Sequence, residues 1–204
     1  MGDGPDAIRA VFFDLGGVLK LTSRTGWQAR WEHRLGLPRG ALDRRLAAIR
    51  AAGSVGAITL EEVKRRVAAS LNLTPDQLRE LTEDAWSEYL GTLNGELAAY
   101  FAALQPRFRT GIISNSFVGA REREQAAYGL EEICDLIIYS HEAGWMKPDP
   151  RIYLLACERL RIEPTEAAFV DDVPAYVRAA RELGMHAITF TDNASAIAQL
   201  ERLR

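Results

Sequence analysis

The sequence predicts an α/β protein: a parallel sheet covered by helices on both faces and interrupted near its start by an all-helical insertion. Three observations carry this. Short runs rich in β-branched and aromatic residues recur along the chain, stretches of helical period separate the later ones, and the interval between the first run and the second holds no strand pattern.

The first strand is expected over Ala10 to Asp14, ending on a carboxylate that opens onto the turn Leu15-Gly16-Gly17. Four amphipathic helices follow, over Arg24 to Leu35, Arg39 to Ala52, Leu60 to Leu71 and Pro75 to Leu90. Thr74-Pro75-Asp76-Gln77 supplies a cap residue and a proline at the first helical position, and Thr59-Leu60-Glu61-Glu62 has the form of a capping box. A strandless interval of roughly ninety residues is too long for a loop in a compact domain. It is therefore assigned to a helical cap at 20–91, inserted into a core made of 1–19 and 92–204. Trp27 and Trp31, at i and i+4, are expected to pack in the core of that cap rather than form a ligand platform. The remaining strands are read at Arg109 to Ser114, Leu136 to Tyr139, Ala167 to Asp171 and His186 to Phe190. Helices are read at Glu96 to Leu104, Arg121 to Tyr128, Pro150 to Leu160, Ala175 to Leu183 and Ala194 to Leu203. Right-handed crossovers bring the carboxyl ends of such strands to one edge.

Composition narrows the function. With 25 Lys and Arg against 28 Asp and Glu, the net charge of -3 gives no basic field for nucleic acid and no polybasic patch for a membrane surface. Small-molecule chemistry is the default, in a monomer or a homodimer. Cys134 and Cys157 lie in apolar or amphipathic stretches without CxxC spacing, so buried reduced thiols and a cytoplasmic location are expected. No apolar run reaches membrane-spanning length, and Met1 to Asp6 lacks the basic-then-apolar pattern of a signal peptide and reads as a frayed terminus.

Chemistry gathers at the strand ends. Asp14 closes the first. The second ends in Ser114-Asn115-Ser116, a hydroxyl with fresh backbone amides suited to phosphate oxygens. After the third, Lys147 sits on a proline-stiffened turn, Gly144-Trp145-Met146-Lys147-Pro148-Asp149-Pro150, as a preset cation. The fourth ends in Asp171-Asp172, adjacent acids that suit a hard cation such as Mg²⁺. Taken singly, each has an ordinary structural explanation as good as the functional one: a turn, a helix cap, a solvated charge. Their occurrence together, in order, describes an anionic nucleophile, a cationic clamp, a hydroxyl donor and a metal.

Through Phe13 to Leu19, Ser114 to Ser116, Gly144 to Pro150 and Val170 to Asp172, the chain resembles the haloacid dehalogenase (HAD) superfamily, in the branch with a helical C1-type cap after the first motif. The resemblance covers nearly the whole chain and implies a Rossmann-like core. It also implies an aspartyl-phosphate on Asp14, with Ser114, the amide of Asn115 and Lys147 holding the phosphoryl oxygens beside Gly16 and Gly17. Mg²⁺ would be held by the Asp14 carboxylate, the Gly16 carbonyl and Asp172, with Asp171 auxiliary. The implied reaction is Mg²⁺-dependent hydrolysis of a small phosphorylated metabolite.

Two positions depart from the family pattern. Phosphatases of the family usually carry a second aspartate two residues after the nucleophile, where this chain has Gly16; Glu142, His141 or a cap residue could substitute for that acid, with His141 more simply an ordinary loop residue. Tyr176 stands where many relatives place Asn, and packing or a hydrogen bond to a loop accounts for it. Lys20 or Arg24 is a candidate for a second anionic group of the substrate. Two alternatives remain: a catalytically weak protein that binds a phosphorylated ligand, and a 2-haloacid dehalogenase, ranked lower because dehalogenases of this family lack paired acids such as Asp171-Asp172.

Overall fold

The computed structural model describes residues 7–203; the start read as frayed, Met1 to Asp6, lies outside them. Its centre is a five-stranded parallel sheet of β1 (Ala10–Phe13), β4 (Arg109–Ser114), β5 (Leu136–Tyr139), β6 (Ala167–Asp171) and β7 (His186–Thr189), in the order β5-β4-β1-β6-β7. β1 pairs with β4 on one side, Phe13 against Ile112, and with β6 on the other, Phe13 against Val170. The chain leaves β1 in one direction for β4 and β5, then returns past it for β6 and β7. The carboxyl end of β1 is thus the point where strand order reverses, the position at which open α/β sheets bind ligands.

Alternation along the strands explains the layers. Val11 and Phe13 face one cluster, closed by Leu97 and Phe101 of α5 (Gly95–Ala103) and Ala196 and Leu200 of α10 (Asn193–Leu200). Ala10 and Phe12 face the opposite cluster, closed by Ile152 and Tyr153 of α8 (Pro150–Leu160) and Val177 and Ala180 of α9 (Pro174–Glu182). Because both faces are covered, β1 reads as an unbroken apolar run.

Between β1 and β4 lie α1 (Trp27–Arg34), α2 (Ala41–Ser54), α3 (Leu60–Leu71) and α4 (Pro75–Leu90), which share a cluster of their own containing Trp27, Trp31, Leu46, Val63 and Leu81. Trp31 is 2% exposed and its indole donates to Asp84 at 2.7 Å, so it packs inward; Trp27, 9% exposed, joins the same cluster and also borders the space between the helices. α1 and α2 begin later than their periodicity suggested, because Gly26 and Gly40 adopt left-handed φ values of 73° and 74° just before the first helical residues. At α4 the capping box is complete; at α3 Thr59 accepts from the Glu62 amide, while the Glu62 carboxylate turns to Arg65 and Arg66. A feature without a sequence signal ties the segment down: β2 (Lys20–Leu21) pairs antiparallel with β3 (Thr92–Leu93), so its entering and leaving chains run side by side. The end of α2 touches the strand-end loops, where the Val118 amide donates to the Gly53 carbonyl at 3.2 Å and Ser140 Oγ donates to the Ser54 carbonyl at 2.7 Å.

Candidate active site

Four strand ends meet around one buried ammonium. Asp14 follows β1 directly, its amide donating to the Val170 carbonyl of the neighbouring strand at 2.8 Å. Lys147 has a fully buried side chain, and its Nζ lies 2.6 Å from Asp14 Oδ1 and 2.6 Å from Asp171 Oδ2. The Leu15 amide also donates to Asp14 Oδ1, at 2.7 Å, so both contacts to this carboxylate fall on one oxygen. Asp171 accepts on both of its oxygens, from Lys147 and from the Val173 amide at 2.8 Å. Asp172 is exposed beside them; oxygens of Asp14, Asp171 and Asp172 lie within 4.8 Å of one another.

Three carboxylates thus face one ammonium. Burial pushes Asp171 up to about 6 against the pull of Lys147, with the Asp14 charge adding to the rise. Burial, then the Asp14 charge, raise Asp172 as well. Oxygen donors carrying more negative charge than their lysine neutralises are the chemistry of a hard-cation site, so the residues fit Mg²⁺.

Ser114 ends β4 and is buried, opposite Tyr139 in the sheet register. The Asn115 side chain spans to the lysine loop: its Oδ1 accepts from the Lys147 amide at 2.7 Å, and its Nδ2 donates to the Lys147 carbonyl at 3.0 Å and to the Tyr176 hydroxyl at 3.2 Å. This bracket fixes the backbone of Lys147, and it accounts for Tyr176 as a hydrogen-bond partner. Sequence reasoning had singled out the Asn115 amide and missed its side chain. Gly17 turns with φ of 83°, and a Cβ there would lie 2.3 Å from Asp172 Oδ2. Gly16 is different: an added Cβ would meet nothing within 4 Å.

Several candidates are occupied elsewhere. Lys20 is not available to a substrate: it is buried, paired with Glu124 at 2.5 Å and set over the Tyr89 ring at 3.9 Å. A lysine just after a nucleophile turn looks like an anion ligand in one dimension, and its partner is distant in sequence. Arg24 lies exposed in the connection before α1. Glu142 is held by a two-pronged contact from Arg121, at 2.6 and 2.7 Å, which lowers its pKa and keeps it ionised. His141 Nδ1 sits 2.7 Å from Ser116 Oγ, in a buried setting that lowers its pKa. Cys134 and Cys157 are buried free thiols.

The sequence profile of the haloacid dehalogenase-like hydrolases matches residues 8–184. The chain belongs to this family. Among similar proteins, bifunctional epoxide hydrolase 2 of Sus scrofa is 33% identical over 97% of this chain. The chain spans only 39% of that relative's length. The phosphatase MT3486 of Mycobacterium tuberculosis is 28% identical, covering 89% of this chain and 86% of its own. A HAD enzyme of Bacteroides thetaiotaomicron, solved with magnesium and inorganic phosphate, superposes with a TM-score of 0.80 at 20% identity, over 94% of this chain and 99% of that one. The chain is thus a member of a hydrolase family and has phosphatases among its relatives. Among the described residues no helix is long and apolar enough to cross a membrane.

Proposed function

We propose that the protein is a Mg²⁺-dependent phosphomonoesterase acting on a small phosphorylated metabolite in a reducing, cytoplasmic setting, with Asp14 as nucleophile. The observation that carries the reading is the pair of 2.6 Å contacts from Lys147 to Asp14 and Asp171, with Asp172 alongside. The MT3486 phosphatase and the magnesium and phosphate bound by the Bacteroides enzyme support it.

With Lys147 and the Leu15 amide both on Oδ1, the second oxygen of Asp14 is the one assigned to attack. It forms the new bond to phosphorus as the bond to the leaving alcohol's oxygen breaks, and water then cleaves the aspartyl-phosphate to inorganic phosphate and free carboxylate. Lys147 meets the negative charge on the equatorial oxygens, Ser114 and the Asn115 amide donate to them, and Asn115 through its side chain keeps Lys147 in place. Asp14, the Gly16 carbonyl and Asp172 are the proposed metal ligands; Asp171, with both oxygens engaged, serves chiefly to hold the lysine. Bound there, Mg²⁺ would offset the repulsion between the Asp14 carboxylate and the phosphate dianion. Gly16 offers no acid, so the departing alkoxide takes its proton from water, which makes turnover of alkyl esters slow. The four-helix segment is proposed as the cap over this edge.

A screen of sugar phosphates, nucleotides, acyl phosphates and aryl phosphates with Mg²⁺ tests this reading. Release of phosphate that disappears in Asp14→Asn is expected; no release on any compound, or release that survives the substitution, overturns it.

A further inference from the structure

A pocket of about 470 Å³ opens between α1–α4 and the loop after β4. Protein interiors are close-packed, and voids of this size are left for ligands. Its walls are the inner faces of the helices, with Leu46, Val63, Val67 and Leu81 among aliphatics and the rings of Trp27 and Trp86. Its lining reaches the site just described, because Asn115, whose side chain brackets Lys147, and the adjoining Ser116 line it too.

The charged residues at its edge are already committed. Arg50 pairs with Asp43 at 2.6 Å and Lys64 with Glu61 at 2.8 Å. Glu88 accepts from the Thr25 amide at 2.5 Å and the Thr25 hydroxyl at 2.7 Å. Tyr89, at the inner wall, lies against the buried Lys20. A sugar or nucleoside would leave its hydroxyls facing aliphatic walls, at the cost of unmade hydrogen bonds. An uncharged hydrocarbon has no polar groups of its own to leave unpaired, and apolar cavities of protein interiors take up such groups.

We propose that this pocket holds the apolar part of the substrate, so that the phosphorylated compound is the monoester of a long-chain or aryl-substituted alcohol. The inference rests on the phosphomonoesterase reading, and it places the phosphate at Lys147 with the hydrocarbon running past Asn115 and Ser116 into the helical layer.

The test is a homologous series of n-alkyl phosphates from methyl to dodecyl, assayed with Mg²⁺. Specificity, kcat/KM, is expected to rise about threefold to fourfold per methylene until the pocket is full and then to level. In Ala85→Phe, which narrows the pocket from α4, the plateau is expected at shorter chains. Binding is followed in parallel by the fluorescence of Trp27 and Trp86, using wild-type protein in EDTA titrated with ethyl and dodecyl phosphate. Tighter binding of the dodecyl ester without turnover of any phosphate would retain the pocket and overturn the phosphatase reading. Turnover of short phosphates with no chain-length dependence in rate or binding would overturn the pocket and retain the phosphatase. Neither turnover nor length-dependent binding would overturn both.

Discussion

Replacing Gly16 with aspartate should speed hydrolysis of alkyl phosphates. Gly16 is exposed on the turn that carries Asp14, a Cβ there meets no heavy atom within 4 Å, and its backbone is outside the left-handed region. The new side chain therefore starts into open space at its Cβ. A correctly placed general acid contributes about 10²- to 10⁴-fold, and that is the expected rise in kcat for a poor leaving group such as butanol. For 4-nitrophenyl phosphate, whose leaving group needs little protonation, the gain should be small. The assay is phosphate release from both compounds at saturating Mg²⁺. The neighbouring position is the control: Gly17→Ala puts a Cβ 2.3 Å from Asp172 Oδ2 at φ of 83°. Its left-handed backbone alone costs about 1–2 kcal/mol, and the displaced Asp172 should weaken Mg²⁺ binding. A Gly16→Asp protein that folds, binds Mg²⁺ and gains nothing on the alkyl ester, or gains equally on both, would refute the claim that proton transfer is the missing step.

Further outcomes follow from buried charges and thiols. Glu124→Gln leaves the Lys20 ammonium buried without its counter-ion and should cost about 3–5 kcal/mol by urea unfolding, most of it recovered in Lys20→Met/Glu124→Leu. Burial pushes both cysteines up to about 12, so at pH 8 only about one thiol in ten thousand is ionised, and alkylation should proceed only as fast as the protein unfolds. Burial holds His141 below its ordinary 6.5, so the unfolded chain binds the extra proton. Its contribution is complete above pH 6.5 and lost as pH falls through that value toward the lower folded pKa; His141→Asn should flatten that limb of a stability–pH profile.

The five sheet strands were legible because a doubly covered parallel sheet demands apolar runs, and the two-residue β2 and β3 were not, since two residues carry no periodicity. Helix starts at α1 and α2 slipped because the periodic pattern extends across glycines whose left-handed turn ends it. At the site, residues ending strands could be expected to converge once the sheet was parallel, and Asp14, Lys147, Asp171 and Asp172 do. The Asn115 bracket joins residues 32 positions apart and the Lys20–Glu124 pair residues 104 apart. Neither has a local signature. The pocket was invisible for a similar reason, since an amphipathic helix face reads the same whether it fills a core or lines a space.

The most direct test of the account is acid quenching of the enzyme during turnover, followed by mass analysis of the peptide containing Asp14. A gain of one phosphoryl group on Asp14, dependent on Mg²⁺ and absent in Asp14→Asn, is the predicted result. Steady phosphate release with Asp14 unmodified at every quench time, and undiminished in Asp14→Asn, would contradict it.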